Sequence, residues 1–297
     1  MKLTTKKPLR VVTLCSGYDS QCLALERLKS VYSEFDYDLV AWSEFDPESK
    51  TPLDKQHAVV AHNALFPQWK DRNLGDMTKI DWTQVDDFDL LFYSTPCQSV
   101  SQAGLQHGFT EGSGTRSSII WNVRDAVKIK RPKFLCLENV KAMVNGKFVG
   151  MFNLWQFELE RLGYRNFAQV LNAKDYGVPQ NRERIFLVSI RIDDEDNMPK
   201  YYFPKPFPLE RRLKDVLEDN VDEKYYLSDK AIKGFYERTD RAIERGNGFR
   251  FSPKTKDDVT AQAVQTSSGT RADDNFIMQD EQDEELHQLR IERAWKD

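Results

Sequence analysis

Through residue 192 the chain alternates between short apolar runs that stop at a small or polar residue and longer stretches whose apolar positions recur at helical spacing. Such alternation leaves few folds open, because each strand returns beside the last through a crossover helix and both faces of the resulting sheet have to be covered. Residues 9–15 form the first run and end at Ser16-Gly17, after which Cys22, Leu23, Leu25, Leu28 and Val31 predict a helix. Residues 39–42 form the second, stop at Ser43-Glu44 and lead into helical material through Ala61. A third strand is predicted at 88–93, closed by Ser94-Thr95-Pro96, and a fourth at 133–137, ending at Glu138-Asn139. The glycine-rich, polar stretch 104–116 predicts a mobile loop, followed by a helix over 117–130. A helix over 148–162 with Gly163 as its C-cap follows, and strands at 167–171 and 185–192 flank a polar loop at 175–184. The fold class is α/β.

After Asp193 the texture changes. An acidic run is followed by Pro199, Pro204, Pro206 and Pro208, which reads as a boundary, and short helices are predicted at 209–218 and 228–245. From Asp273 to Asp297 nine acidic residues face three basic ones, so although the whole chain is only at -4, a polyanion would meet its middle and not its tail. Within that tail Leu286, Leu289, Ile291 and Trp295 suit one face of a helix of about ten residues, too short to be stable alone. The division expected is therefore 1–192, 193–272 and 273–297.

Four cysteines, at 15, 22, 97 and 136, form no CxxC pair and have no histidines at ligand spacing, which argues against structural zinc. The amino terminus is too short and polar for a signal peptide and no run of 18 apolar residues exists, so a soluble, cytoplasmic protein is expected.

Three polar sites lie just past predicted parallel strands: Gly17, Pro96-Cys97-Gln98 and Glu138-Asn139-Val140. In an open α/β sheet those strand ends gather along one crevice. Each residue also has a plainer reading. Cys97 is a nucleophile or a packing thiol; Glu138 is a working carboxylate, a helix cap or a partner of Arg131; Gly17 is a cofactor turn or a bend. Glu44, 27 residues after Gly17, sits where a doubly wound sheet holds ribose hydroxyls, or is a solvent-facing acid.

Taken together these segments resemble the DNA cytosine-5 methyltransferase family. Pro96-Cys97-Gln98, with Ser101, matches its nucleophile motif; Glu138-Asn139-Val140 its Glu-Asn-Val motif; and Gln180, Arg182 and Arg184 its Gln-x-Arg-x-Arg motif. Gly114-Thr115-Arg116-Ser117 is similar to the stretch before the next helix in those enzymes, and the likeness covers about residues 9–192, more loosely through Ile277. In the cofactor turn Cys15 stands for the family's phenylalanine and Asp19 for its second glycine.

The resemblance implies a Rossmann-like S-adenosylmethionine-dependent methyltransferase sheet with a small recognition domain: 1–192 catalytic and cofactor-binding, 193–272 target recognition, 273–297 an acidic end. It implies that Cys97 adds to C6 of a cytosine flipped out of duplex DNA and that Glu138, protonated with the help of burial, offsets charge at N3. Arg182 and Arg184 would bring positive charge to the ring edge or the phosphates, and 104–114 would be the lid. S-adenosylmethionine would be held by Leu14, Ser16, Gly17, Tyr18, Glu44, Asp76, Met77 and Pro96, with no metal. A prokaryotic or phage origin and a role in restriction–modification are expected. The family's closing Gly-Asn motif is not found after the recognition region, since Gly246-Asn247 comes too early. That predicts a separately encoded C-terminal subunit, against an autonomous, shortened enzyme. A silent DNA-binding homologue and a tRNA cytosine-5 methyltransferase stay open. A nicotinamide-dependent oxidoreductase would explain Gly17 and Glu44 and leave Cys97 and Glu138 unexplained.

Overall fold

A computed structural model describes residues 7–96, 116–218, 221–246, 250–264, 275–278 and 289–290. The chain divides into two compact units, Met1–Val170 with Arg184–Phe203 and Leu171–Glu183 with Pro204–Asp297.

In the first unit the strands are β1 (Leu9–Leu14), β2 (Tyr37–Ser43), β3 (Leu90–Tyr93), β4 (Phe134–Val140) and β5 (Tyr164–Asn172), with most of β7 (Glu183–Arg191); the short β6 (Gln180–Asn181) precedes β7. Helices α1 (Ser20–Val31), α2 (His57–Leu65), α3 (Val123–Lys130) and α4 (Val149–Arg161) connect them. The sheet order is β2-β1-β3-β4-β7-β5. β1 pairs parallel with β2 and β3, and β3 parallel with β4, while β7 runs antiparallel to β4. Strand alternation distributes the core between two faces. Val12 and Leu14 join Leu91, Leu135 and Leu137 against α3 and α4, whereas Val11 joins Leu39 and Trp42 against Cys22 and Leu25 of α1 and Val59 of α2.

Helix boundaries follow local chemistry. α4 runs into Gly163 at φ 86, a left-handed position that glycine takes without a Cβ penalty. The helix expected over 117–130 begins instead as a 3-10 segment, Arg116–Asn122, and becomes α-helical only at Val123. The adjacent β-branched Ile119 and Ile120 favour the α-helix weakly, which accounts for the later start.

In the second unit α5 (Asp229–Glu244) is capped by Ser228, whose side chain accepts from the Ala231 amide. Its Ile232 and Phe235 pack with Phe251 and Phe276, and the Phe235 and Phe251 rings stack at 5.1 Å. Short strands β8 (Lys254–Thr255), β9 (Ala261–Gln262), β10 (Ile277–Met278) and β11 (Leu289–Arg290) complete it: β10 lies between β8 and β11, and β9 pairs with β6. The helix expected at 209–218 shrinks to one 3-10 turn, Leu213–Asp215, a segment too short to recover the cost of helix nucleation. Leu289 is likewise not helical, because Leu289–Arg290 pairs antiparallel with Ile277–Met278, whose open strand edge offers hydrogen bonds that a ten-residue helix would have to make alone. Leu286, Ile291 and Trp295 lie outside the described residues.

Candidate active site

β1 leaves the sheet through a turn in which Cys15, Gly17 and Asp19 all have positive φ, at 52, 59 and 66°. A Cβ on Gly17 would meet nothing within 4 Å, so the demand for glycine is conformational and not steric. Its amide donates to Glu44 Oε2 at 2.7 Å, which ties the end of β1 to the residue just past β2. Asp19 keeps a glycine-like backbone and puts a buried carboxylate to use: Oδ2 accepts from Thr13 Oγ1 at 2.7 Å and Oδ1 from the Cys22 amide at 3.2 Å, capping α1. His62 Nε2 lies 3.6 Å from Oδ2, both side chains fully buried, and the imidazole stacks on Trp42 at 3.6 Å. Neither His62 nor Trp42 carries a local sequence signal for this role, since the meeting is made by α2 and β2.

Asn73 organises the next corner. Its Oδ1 accepts from the amides of Glu44 and Gly75 at 3.2 and 2.9 Å, and its Nδ2 donates to the Glu44 carbonyl at 3.3 Å. Ser43 Oγ donates to the Gly75 carbonyl at 2.6 Å. Burial raises the Asp76 carboxyl, but hydrogen bonds from Thr78 and then Lys79 outweigh it and hold the group below the usual carboxylate range. Met77 is buried with its sulfur 3.4 Å from Cys15 Sγ.

Ser16 Oγ and Thr95 Oγ1 are buried without a hydrogen-bond partner in the structure. Buried hydroxyls are rarely left so, and two at neighbouring strand ends, beside the half-buried carboxylates of Glu44 and Asp76, fit a polar ligand of nucleoside type. Tyr18 is 53% exposed beside the turn, Pro96 is half-buried, and Leu14 offers no side chain because it packs in the core. The Leu14 carbonyl accepts from the Ser94 amide at 3.1 Å.

At the end of β3 the chain is held from β4. Asn139, 2% exposed, donates through Nδ2 to the Thr95 carbonyl at 3.0 Å and accepts the Val140 amide at 2.9 Å. Cys97, Gln98, Ser101 and the 104–114 loop lie outside the described residues. Glu138 does not lie past its strand, as the sequence suggested, but within β4, opposite Phe186, because β7 continues the pairing through Val140 and Arg184. Arg184 is its diagonal neighbour, with Nε 3.1 Å from Oε1 and side chains 21 and 29% exposed. The immediate neighbour of this half-buried carboxylate is a guanidinium. Arg184 is engaged with Glu138, whereas Arg182 belongs to the second unit, where its amide donates to Asn172 Oδ1 at 3.0 Å.

Two other thiols are unsuited to nucleophilic work. Burial, and after it the Asp19 carboxylate, raises Cys22 far above its ordinary value, and burial followed by Glu138 pushes Cys136 up to about 12. Among the described residues no cluster of His, Cys, Asp or Glu suits a metal, and no helix is long and apolar enough to cross a membrane.

A profile described as C-5 cytosine-specific DNA methylase matches residues 9–293. The type II methyltransferase M2.ScrFI of Lactococcus lactis subsp. cremoris is 44% identical over 161 residues, 54% of this chain and 44% of its own. The orphan methyltransferase M.Rho11sI of Bacillus phage rho11s is 32% identical over 263 residues, 80% of this chain and 49% of its own. The chain thus spans about half the length of these curated relatives. A crystal structure of a Spodoptera frugiperda DNMT2 variant superposes with a TM-score of 0.67 at 17% identity, covering 92% of this chain and 76% of that one, which shows a shared fold.

Proposed function

Because the chain belongs to the C-5 cytosine-specific DNA methylase family, we propose that it transfers a methyl group from S-adenosylmethionine to C5 of a cytosine turned out of duplex DNA, with Cys97 as the attacking thiolate. The observation that carries this reading is the convergence of strand ends: the Gly17–Glu44 turn, and the chain leading into Cys97, which Asn139 holds at Thr95.

C5 of cytosine is a poor nucleophile. Bonding of the Cys97 sulfur to C6 breaks the C5=C6 double bond and moves its electron pair to C5, with negative charge spreading to N3. Glu138 offsets that charge by sharing a proton with N3, and Arg184, with Nε 3.1 Å from Oε1, orients the carboxylate. Glu44, Asp76 and the Ser16 hydroxyl hold S-adenosylmethionine, which when bound supplies an electrophilic methyl group. C5 then loses its proton, the electron pair re-forms the double bond, and the Cys97 thiolate leaves. The base has to leave the stack for this chemistry. Arg182 brings positive charge to the phosphates, and sequence readout falls to the region after Asp193.

The test is duplex DNA carrying 5-fluorocytosine at the target, where fluorine blocks the final proton loss. Wild type forms an adduct stable to denaturation and Cys97→Ser forms none. A wild-type protein that methylates the ordinary duplex yet yields no such adduct would overturn covalent catalysis. Methyl transfer by the purified chain, with mass spectrometry excluding any companion polypeptide, reads in the same experiment whether a further subunit is required.

A further inference from the structure

Helix α5 carries a face that its own unit does not use. Ile232 and Phe235 turn inward, while Lys230, Gly234, Arg238, Arg241 and Arg245 follow one another at spacings of four, four, three and four, a single line along the helix. The four cations of this line are exposed, and none is paired with a carboxylate among the described residues. Glu237 shares this stripe, seven residues after Lys230 and four before Arg241, with Glu244 at its edge and Asp240 off it, so the cations outnumber the acid along the line. Arg241 turns only its Nε back to the helix, donating to the Glu237 carbonyl at 3.1 Å, and the Arg238 guanidinium lies over the Phe235 ring at 5.9 Å. Arg238, Arg241, Ala242 and Arg245 line a shallow groove of about 280 Å³.

Gly234 is the second observation. It lies within α5 without a positive φ, and a Cβ there would meet nothing within 4 Å. Glycine in a helix interior is destabilising relative to alanine, and nothing among the described residues requires it here. A residue with no side chain in the middle of a cationic line is suited to close approach by a partner.

We propose that this line on α5 seats the phosphate backbone of duplex DNA, the arginines meeting successive phosphates and Gly234 giving the strand its nearest approach. The choice of duplex DNA rests on the function proposed above, since charge alone would accept any polyanion. Contacts of this kind position the duplex and carry no base sequence.

Binding of the full chain to a mixed-sequence DNA duplex, measured against salt concentration, tests the proposal. Replacing Arg238, Arg241 and Arg245 by Gln removes three phosphate contacts, so the slope of log K against log salt becomes shallower by about 2–3. Gly234→Ala separates binding from folding: it raises Tm by about 1–3 °C and still weakens the duplex several-fold. The single variant Arg241→Gln serves if the triple variant fails to fold, with a slope shallower by about 1. An unchanged slope, or Gly234→Ala binding as tightly as wild type, overturns the α5 seat and leaves the proposed activity standing. Variants that lose affinity for an RNA hairpin but not for the duplex overturn the choice of DNA. Wild type that binds no duplex at all overturns both the seat and the activity it rests on.

Discussion

Replacing Asp19 separates what its backbone does from what its carboxylate does. At φ 66 and ψ 60° the residue occupies the left-handed region, with Thr13 and Cys22 bonded to its two carboxylate oxygens. Asp19→Gly keeps the backbone and deletes the acceptor. The buried Thr13 hydroxyl is orphaned at about 1–3 kcal/mol and loss of the cap to glycine adds a few tenths, while taking the Cβ out of the left-handed region returns up to about 1 kcal/mol, so the variant should lose roughly 0.5–3 kcal/mol. Asp19→Ala loses the same hydrogen bond but, like the aspartate, keeps a Cβ in the left-handed region, about 1–2 kcal/mol worse there than glycine, and its capping loss is fuller, about 1 kcal/mol. Urea unfolding with m unchanged should place alanine below glycine by roughly 0.6–2.7 M in midpoint, for a slope of about 1–3 kcal/mol/M. Because the same turn carries the Gly17 amide to Glu44, affinity for S-adenosylhomocysteine, followed by calorimetry, should fall further in Asp19→Ala than in Asp19→Gly. Equal midpoints for alanine and glycine would refute the backbone argument, and glycine as stable as wild type would refute the hydrogen-bond argument.

Glu138→Gln should slow single-turnover methyl transfer by roughly 10²-fold while leaving DNA affinity close to wild type; equal losses in rate and binding would make the carboxylate structural. Asn139→Ala leaves the Thr95 carbonyl without its buried donor and should cost about 1–3 kcal/mol in urea unfolding, with a value near zero counting against the tether. The Asp76 carboxyl is held below its unfolded value of about 3.9, so its stabilising contribution is complete above that pH and is lost only as pH falls through the lower folded value. NMR titration of the Asp76 carboxyl with a midpoint at or above the unfolded value would contradict this.

The parallel part of the sheet was legible because its residues act locally. β1, β3 and β4 are short apolar runs, and Gly163 announces the end of α4. Glu44 and Gly17 were found by spacing along the chain, and the structure joins them by a hydrogen bond. What escaped depends on partners distant in sequence. Glu138 was expected beyond its strand because nothing near it says that β7 extends the pairing. Asp19 looked only like a departure from a glycine turn, since its use rests on Thr13 and on His62 of another helix. Leu289 shows the reverse error, a helical apolar pattern yielding to an available strand edge.

The β4–β7 ladder has a further consequence for how such a protein tolerates change. Seven rungs, from Phe134 opposite Ile190 to Val140 opposite Arg184, set the spacing of Glu138 and Arg184. Of the chain between those strands, β5 lies beside β7 in the sheet and α4 packs in the same core as Leu135 and Leu137, so only the turns that join these elements are free of the ladder's geometry. Lengthening or shortening an exposed connection there, such as the turn at Asn145-Gly146 before α4, alters loop-closure entropy by fractions of a kcal/mol for modest changes and leaves the ion pair where it is. A one-residue insertion inside either strand would instead turn one of the two side chains to the opposite face of the sheet. Natural variation in length should therefore collect in such exposed turns and be purged within the strands, and a reporter peptide introduced for labelling is better placed at Asn145-Gly146 than anywhere in β4 or β7.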